Sequence, residues 1–414
     1  ASGFSQSIRK GVAVGHRATA SMVFLRRSHL AASAAVVACI LPSAGAFLAP
    51  AHVPLGAASR SRAVSHARPM RMGLALEQFD AGGADPEKSV VTLDSLVPRA
   101  KVTELIKQTS DVEGAKQVLF NLLCYSVFAS AAAASSALFG WASIGMAFVL
   151  SFNFMCLHET VHRSAFKSRV LNDIMMHVSG FSCLRPAQHY FYYHWGHHKY
   201  TGNPDKDSEL QPSALDMDVS TLAGYLMYIS GLPFWFDATT TTIRHALGKC
   251  DELYLNSPKA KKEVTNEARV YIALYAALAA LSVAAPPFGA ALLKFWVIPS
   301  VLGQPFLRFY LFAEHRGCPD DDSNITRNTR TMRTMWLYRK LAWNMPYHLE
   351  HHAWPYVPFH KLGDANKLLV ASGGNEIMKG PCSPQGDAGY MKLNWHFIKS
   401  LFTKKDGPFP SGAA

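Results

Sequence analysis

Three short motifs concentrate the side chains with chemical potential. They are His158-Glu159-Thr160-Val161-His162, His194-Trp195-Gly196-His197-His198 and His348-Leu349-Glu350-His351-His352. Residues three and four apart share one face of a helix, so each motif projects two or three imidazoles in one direction. Imidazole suits iron, zinc and copper. A single such motif is most simply a pair of satisfied histidines. Eight imidazoles in three motifs exceed what one tetrahedral zinc uses, so two metals sharing them is the economical reading.

His315, in Phe312-Ala313-Glu314-His315-Arg316, follows an apolar stretch at the same expected membrane depth as His158, and is expected as a ninth ligand. His189 lies five residues before His194, roughly 140° away on a helix. It reads as structural, and His177, His245, His360 and His396 have no partner pattern. Metal-bound imidazoles usually donate their second N–H to a carboxylate. Glu159, Glu314 and Glu350 adjoin candidate ligands, and Asp205, Asp207 and Glu209 follow the second motif. Glu159, Asp205, Asp207, Glu314 and Glu350 are therefore candidate imidazole partners, the alternative being solvated loop acids. Asn344, one helical turn before His348, is a candidate oxygen ligand or hydrogen-bond partner.

The elements that position these residues are apolar helices. Residues 117–158 contain no charged residue apart from His158 itself. About twenty residues span a bilayer, so this stretch fits two helices, with Gly140-Trp141 as the expected turn. Residues 270–313 are apolar except for Lys294 and Arg308, and Pro286, Pro287 and Gly289 break them into a second hairpin. Lys294 and Arg308 are expected near helix ends, where long basic side chains snorkel. Residues 219–236 are also uncharged, but contain Gly224, Gly231 and Pro233. If they crossed the membrane, the third motif would face the opposite side from the first two. A shared metal site therefore requires this segment to lie in the interface. The expected fold is all-α and integral to the membrane: two transmembrane helical hairpins, four spans in all. A cap domain on one membrane face holds the dinuclear site.

Composition agrees. The 414 residues are 49% apolar and only 17% charged, with a formal net charge of +12. No Asp or Glu occurs before Glu77, while nine Lys and Arg do; without them 32 basic residues face 29 acidic ones. The net charge thus gives no support to a nucleic-acid partner. Residues 1–73 have the composition of a targeting leader. Arg26-Arg27, an apolar core at 30–41 and Ala44-Gly45-Ala46 read as a secretory signal, and the Arg/Ser/Ala-rich stretch that follows as a transit peptide. This resembles the bipartite presequences of algae with complex plastids; residues ahead of Met22 have the look of translated upstream sequence. Residues 74–116 are expected as a soluble N-terminal segment, 117–370 as the membrane domain and 371–414 as a C-terminal extension, frayed from Lys404. The seven cysteines form no C-x-x-C pair and are expected as free thiols.

On these residues the chain resembles the integral-membrane fatty acid desaturase superfamily, over roughly 119–367. Beyond the three histidine boxes the resemblance includes Ser168-Arg169-Val170-Leu171-Asn172-Asp173, Asn203-Pro204-Asp205-Lys206-Asp207 and Asn328-Thr329-Arg330-Thr331. It also includes Trp343-Asn344-Met345-Pro346-Tyr347 ahead of the third box, and Pro355 and Val357-Pro358-Phe359-His360 after it. The pattern looks like a bacterial-type branch. The resemblance implies a centre of two non-haem iron ions, O2 as co-substrate and two electrons from an external reductant. The implied ligands are His158, His162, His194, His197, His198, His348, His351 and His352, with His315 matching the family's extra ligand. Hydrogen is removed from an unactivated C–H bond of a lipid substrate. Loss of a second hydrogen gives a double bond, and capture of oxygen gives an alcohol.

The sequence carries no His-Pro-Gly-Gly haem signature and no cysteine run for an iron–sulfur cluster, so a separate donor is expected. That donor is ferredoxin with a plastid address and cytochrome b5 with an endoplasmic reticulum one. The expected location is a plastid membrane, with the boxes on the stromal or cytoplasmic side by the positive-inside tendency. The leading expectation is an O2-dependent desaturase of lipid-linked fatty acyl chains. A carotenoid or lipid hydroxylase or ketolase on the same scaffold is the alternative. A membrane zinc protease built on His158-Glu159-x-x-His162 is a remote one, because it leaves two motifs idle.

Overall fold

The computed structural model describes residues 96–211, 218–319, 324–374 and 389–403. The expected leader (1–73), the first part of the N-terminal segment and the tail from Lys404 fall outside them. All regular structure among the described residues is helical.

After α1 (Arg99–Ile106), the first long helix is α2 (Asp111–Ala134). Its start follows from local chemistry: the Ser110 hydroxyl accepts a bond from the Glu113 N–H, and Asp111 and Glu113 complement the helix dipole. At 1.5 Å per residue its 24 residues reach about 36 Å, enough to cross a bilayer. The chain returns through α3 (Phe139–Ser151) and α4 (Asn153–Val161). The turn between α2 and α3 lies at residues 135–138, a few residues before the expected Gly140-Trp141, which are helical. Ser135 ends α2 with extended backbone. Serine hydroxyls compete with helical backbone bonds, whereas Gly and Trp are tolerated in a first turn.

The second hairpin is α9 (Pro258–Ala284) followed by α10 (Pro286–Leu292), a π-helical turn (Leu293–Val297) and α11 (Ile298–His315). Its break falls at Ala285 because Pro286 and Pro287 lack an N–H and fit only a first turn. Four stretches are thus long and apolar enough to span a membrane: Asp111–Ala134, Phe139–Val161, Pro258–Ala284 and Pro286–His315. α2 and α9 leave apolar side chains such as Leu119, Leu123, Val127 and Val283 uncovered, as a hydrocarbon surround permits. The inner pair, α3 and α11, pack closely: a Cβ on Gly303 would lie 2.9 Å from the Ala147 carbonyl oxygen.

Between the hairpins lie α5 (Arg169–Ser182), α6 (Ala187–Tyr200), α7 (Leu222–Ser230) and α8 (Leu232–Ala246). Residues 219–236 do not form a span. Gly231, at φ 73°, ends α7 after nine residues and turns the chain into α8. A Cβ at Gly231 would collide with the Gln304 side chain, so the turn needs glycine on steric as well as conformational grounds.

Beyond α11 come α12 (Ile325–Asn328), α13 (Trp336–Leu341), α14 (His348–Ala353), α15 (Leu362–Leu369) and α16 (Gly389–Thr403). Two side chains of α2 hold this cap to the first span: Gln117 Nε2 donates to the Lys340 carbonyl at 2.8 Å and Asn121 Nδ2 to that of Leu341 at 3.1 Å. α16, in the C-terminal extension, packs on the body: the Phe397 ring lies 4.6 Å from that of Phe312, and Asn394 bonds Tyr225.

Two further expectations are corrected. Cys124, Cys156, Cys183 and Cys250 are free, but Cys318 is disulfide-bonded, to a partner outside the described residues. A bridge to a sequence-distant cysteine leaves no local spacing signal. Arg308 does not snorkel from a helix end. It lies seven residues before the end of α11, and its guanidinium sits 4.9 Å from the Phe234 ring centroid.

Candidate metal centre

Four helices bring the histidines together. His158 lies in the last turn of α4 and His162 just past its end; His194, His197 and His198 lie on α6, His315 ends α11, and His348, His351 and His352 fill α14. All three motifs and His315 form one contiguous cluster, as even parity of the spans between them requires. His158, His162, His194, His198 and His351 make one group and His197, His315 and His352 a second; within each, one nitrogen per ring lies within 4.8 Å of the others. His348 joins the second group: its Nε2 lies 2.9 Å from His315 Nε2 and 3.2 Å from His352 Nε2. In the first group His198 Nε2 is 3.0 Å from His194 Nε2 and 3.2 Å from His351 Nε2. The groups adjoin where His198 stacks on His352 at 4.2 Å between ring centroids.

The outer nitrogens explain why the inner ones converge. His197 Nδ1 is 2.9 Å from Asp207 Oδ1, and both side chains are buried. Asp207 is itself fixed by backbone N–H bonds from Gly202 and Glu209. Glu159 is completely buried, and its Oε1 approaches His158 Nδ1 at 3.6 Å and His351 Nδ1 at 3.5 Å. Glu314 Oε1 lies 3.3 Å from His348 Nδ1. His315 Nδ1 bonds the Asn328 carbonyl at 2.9 Å, and His352 Nδ1 meets the Thr201 hydroxyl at 3.2 Å. At His197, His315 and His352 the acceptor hydrogen-bonded to Nδ1 sets the tautomer and leaves the Nε2 lone pair pointing inward, while the Glu159 and Glu314 carboxylates lie near but beyond hydrogen-bond geometry.

Burial, reinforced by neighbouring imidazoles, holds His162, His194, His198, His348, His351 and His352 well below the usual histidine pKa. Each is neutral at physiological pH, the form that ligates a metal. Burial also disfavours charge on His197, but Glu209 and Asp207 outweigh it and raise this one ring. Both ring nitrogens of His162 and Nδ1 of His158, His194, His198, His348 and His351 are buried without a hydrogen-bond partner. Such orphans are costly unless something else engages them. The donor set fits imidazole-coordinated cations of intermediate softness.

The carboxylates divide. Glu159, Asp207 and Glu314 stand beside histidines. Glu350 is buried but faces away, accepting bonds from Asn366 Nδ2 at 2.6 Å and from the Thr331 hydroxyl. Asp205 is exposed in a turn where its own N–H bonds Asn203 Oδ1. Asn344 donates to the Phe359 carbonyl at 3.1 Å. Neither Asp205 nor Asn344 is brought to the histidines among the described contacts. Thr201 and Asn328 were not foreseen. Asn328 lies in the Asn-Thr-Arg-Thr block, but a backbone carbonyl acting as partner leaves no trace in residue type. His189 stands apart from the cluster, with Nε2 2.8 Å from the Tyr254 hydroxyl.

The chain spans about two thirds of one curated relative, the dihydrorhizobitoxine desaturase of Bradyrhizobium elkanii. It is 24% identical to it over 246 residues, covering 54% of this chain and 68% of that protein. The fatty acid desaturase family matches residues 134–374, more than half of the chain and all nine clustered histidines. With its four apolar helices and its histidine cluster, this integral membrane protein belongs to the fatty acid desaturase family.

Proposed function

We propose that the protein is an O2-dependent desaturase of an acyl-type chain, with two non-haem iron ions held by His158, His162, His194, His197, His198, His315, His348, His351 and His352. The observation that carries this reading is the convergence of ring nitrogens in two adjoining groups, with hydrogen-bond acceptors behind Nδ1 of His197, His315 and His352 and carboxylates 3.3–3.6 Å from Nδ1 of His158, His348 and His351. When bound, the two irons supply O2 activation and C–H cleavage, which side chains alone do not perform. The protein's own work is to keep buried imidazoles such as His162, His194, His198, His348, His351 and His352 neutral, to fix the tautomers of His197, His315 and His352 through Asp207, Asn328 and Thr201, and to keep bulk water out.

The relative's printed name supports double-bond formation as the outcome. The two electrons come from a separate donor: ferredoxin if the leader directs the chain to a plastid, which its composition supports, and cytochrome b5 if it does not. In that setting the boxes face the stroma or cytoplasm. The zinc-protease reading gains no support, because Glu159 is sealed behind two imidazoles rather than open to a water.

The test is expression of the chain with an electron donor, followed by lipid mass spectrometry and metal analysis. Desaturated products that require O2 and iron support the reading. Oxygenated products without new double bonds would move it to hydroxylation.

A further inference from the structure

Beside the histidine cluster lies a narrow recess, open on one side, with a cavity volume of only about 20 Å³. Ser300, Gln304 and Arg308 line it from α11, Phe234 and Trp235 from α8, and Phe154 from α4. It collects buried polar atoms with no hydrogen-bond partner: Arg308 Nε and Nη2, Trp235 Nε1, Ser300 Oγ and Gln304 Oε1. No carboxylate among the described residues lies within ion-pair reach of Arg308. A second cation borders the recess, as the Arg185 guanidinium sits over Phe154, Tyr190, Tyr193 and Phe234 at 5.5, 4.9, 5.3 and 5.6 Å. Buried charges and donors are costly unless something pairs with them.

We propose that this recess seats the carboxylate of the substrate, held by Arg308 with Trp235 and Ser300, so that the enzyme acts on a free acid rather than on an ester-linked chain. The site rests on the metal-centre reading only for its role in turnover. Nε–H and Nη2–H form one edge of a guanidinium, the two-pronged edge that matches the two oxygens of a carboxylate. The Trp235 N–H and Ser300 O–H add donors, and the Gln304 amide contributes whichever end it turns inward. Aromatic walls suit an apolar chain leading away from the charged group.

Placement relates the recess to the histidines. Phe154 is one turn before His158, their rings 6.4 Å apart. Its ring is 5.3 Å from Tyr190, which stacks on His194 at 5.1 Å. The recess and the histidine cluster therefore share a wall. Ser300, Gln304, Arg308 and His315 fall on one stripe of α11, and seven residues from Arg308 to His315 rise about 10 Å. A chain anchored at Arg308 brings to the metal a methylene several bonds from its carboxylate.

The test uses the full chain in lipid nanodiscs and measures binding of decanoate, methyl decanoate, 1-decanol and decyl phosphate. Decanoate should bind saturably and about tenfold to a hundredfold more tightly than the ester or the alcohol, the range expected for a charge-assisted bidentate pair. Arg308→Gln should abolish that preference while keeping decanol binding and iron content. Trp235→Phe, which removes one N–H, should weaken decanoate severalfold and decanol hardly at all, and it carries the test if Arg308→Gln fails to insert. Equal binding of decanoate and decanol, a preference for decyl phosphate, or an unchanged preference in Arg308→Gln would overturn the assignment. A carboxylate preference in protein that binds no iron would leave the subsite standing and refute the metal reading alone.

Discussion

α11 carries two polar regions about two turns apart, and they are built with opposite signs. At its end His315 joins a cluster of buried imidazoles, some of them bonded from behind at Nδ1 and others with ring nitrogens left unpartnered. At its middle Arg308 and its neighbours point donors and positive charge into a recess with no acid in reach among the described residues. Both regions break the rule that buried polar groups find partners inside the protein. The sign of the break names the missing partner: inward lone pairs call for cations, and inward N–H groups call for an anion. On the proposed reading, the first region takes metal and the second the polar end of an organic molecule.

The largest effect should come from within the cluster. His351 lies in the five-residue group and touches Glu159, so His351→Ala should abolish product and lower bound iron while the chain still inserts. Retained turnover, read by mass spectrometry of products, would count against the site. Next is Asp207→Asn, which weakens the acceptor behind His197 Nδ1. The expected loss is about tenfold to a hundredfold in iron affinity, measured by competition with a chelator. Glu350→Gln tests the contrast among the carboxylates. Glu350 ties α14 to Asn366 and Thr331 and touches no histidine, so thermal stability should fall by about 1–3 kcal/mol with iron content unchanged. Asp205→Ala should change stability by less than about 0.5 kcal/mol and leave iron content alone, because the side chain is exposed in a turn. If Asp205→Ala released iron and Asp207→Asn did not, the roles assigned to these two residues would be reversed.

The two regions also differ in how far sequence alone exposed them. Histidines at helical spacing are legible because the helix period converts spacing into direction, and His315 was found because an apolar stretch fixes depth. The break at Pro286-Pro287 was legible for the same kind of reason, since proline has few places in a helix. Adjacency to a histidine, by contrast, could not separate Glu159 from Glu350. Residues next to each other on a helix point about 100° apart, and tertiary packing decides which of them meets a ring. Arg308 was misjudged because a lone arginine in an apolar stretch reads as a snorkelling side chain until Phe234 is seen packed against it. The turn at 135–138 was displaced for a smaller reason: several Ser, Ala and Gly positions there tolerate either conformation.

The most direct test of the central claim is the metal content of purified full-length protein from iron-replete cells, assayed alongside product formation. About two iron ions per chain are expected from two adjoining imidazole groups, with O2-dependent product lost when chelation removes them and regained on iron return. One zinc per chain, or turnover indifferent to iron, would contradict it.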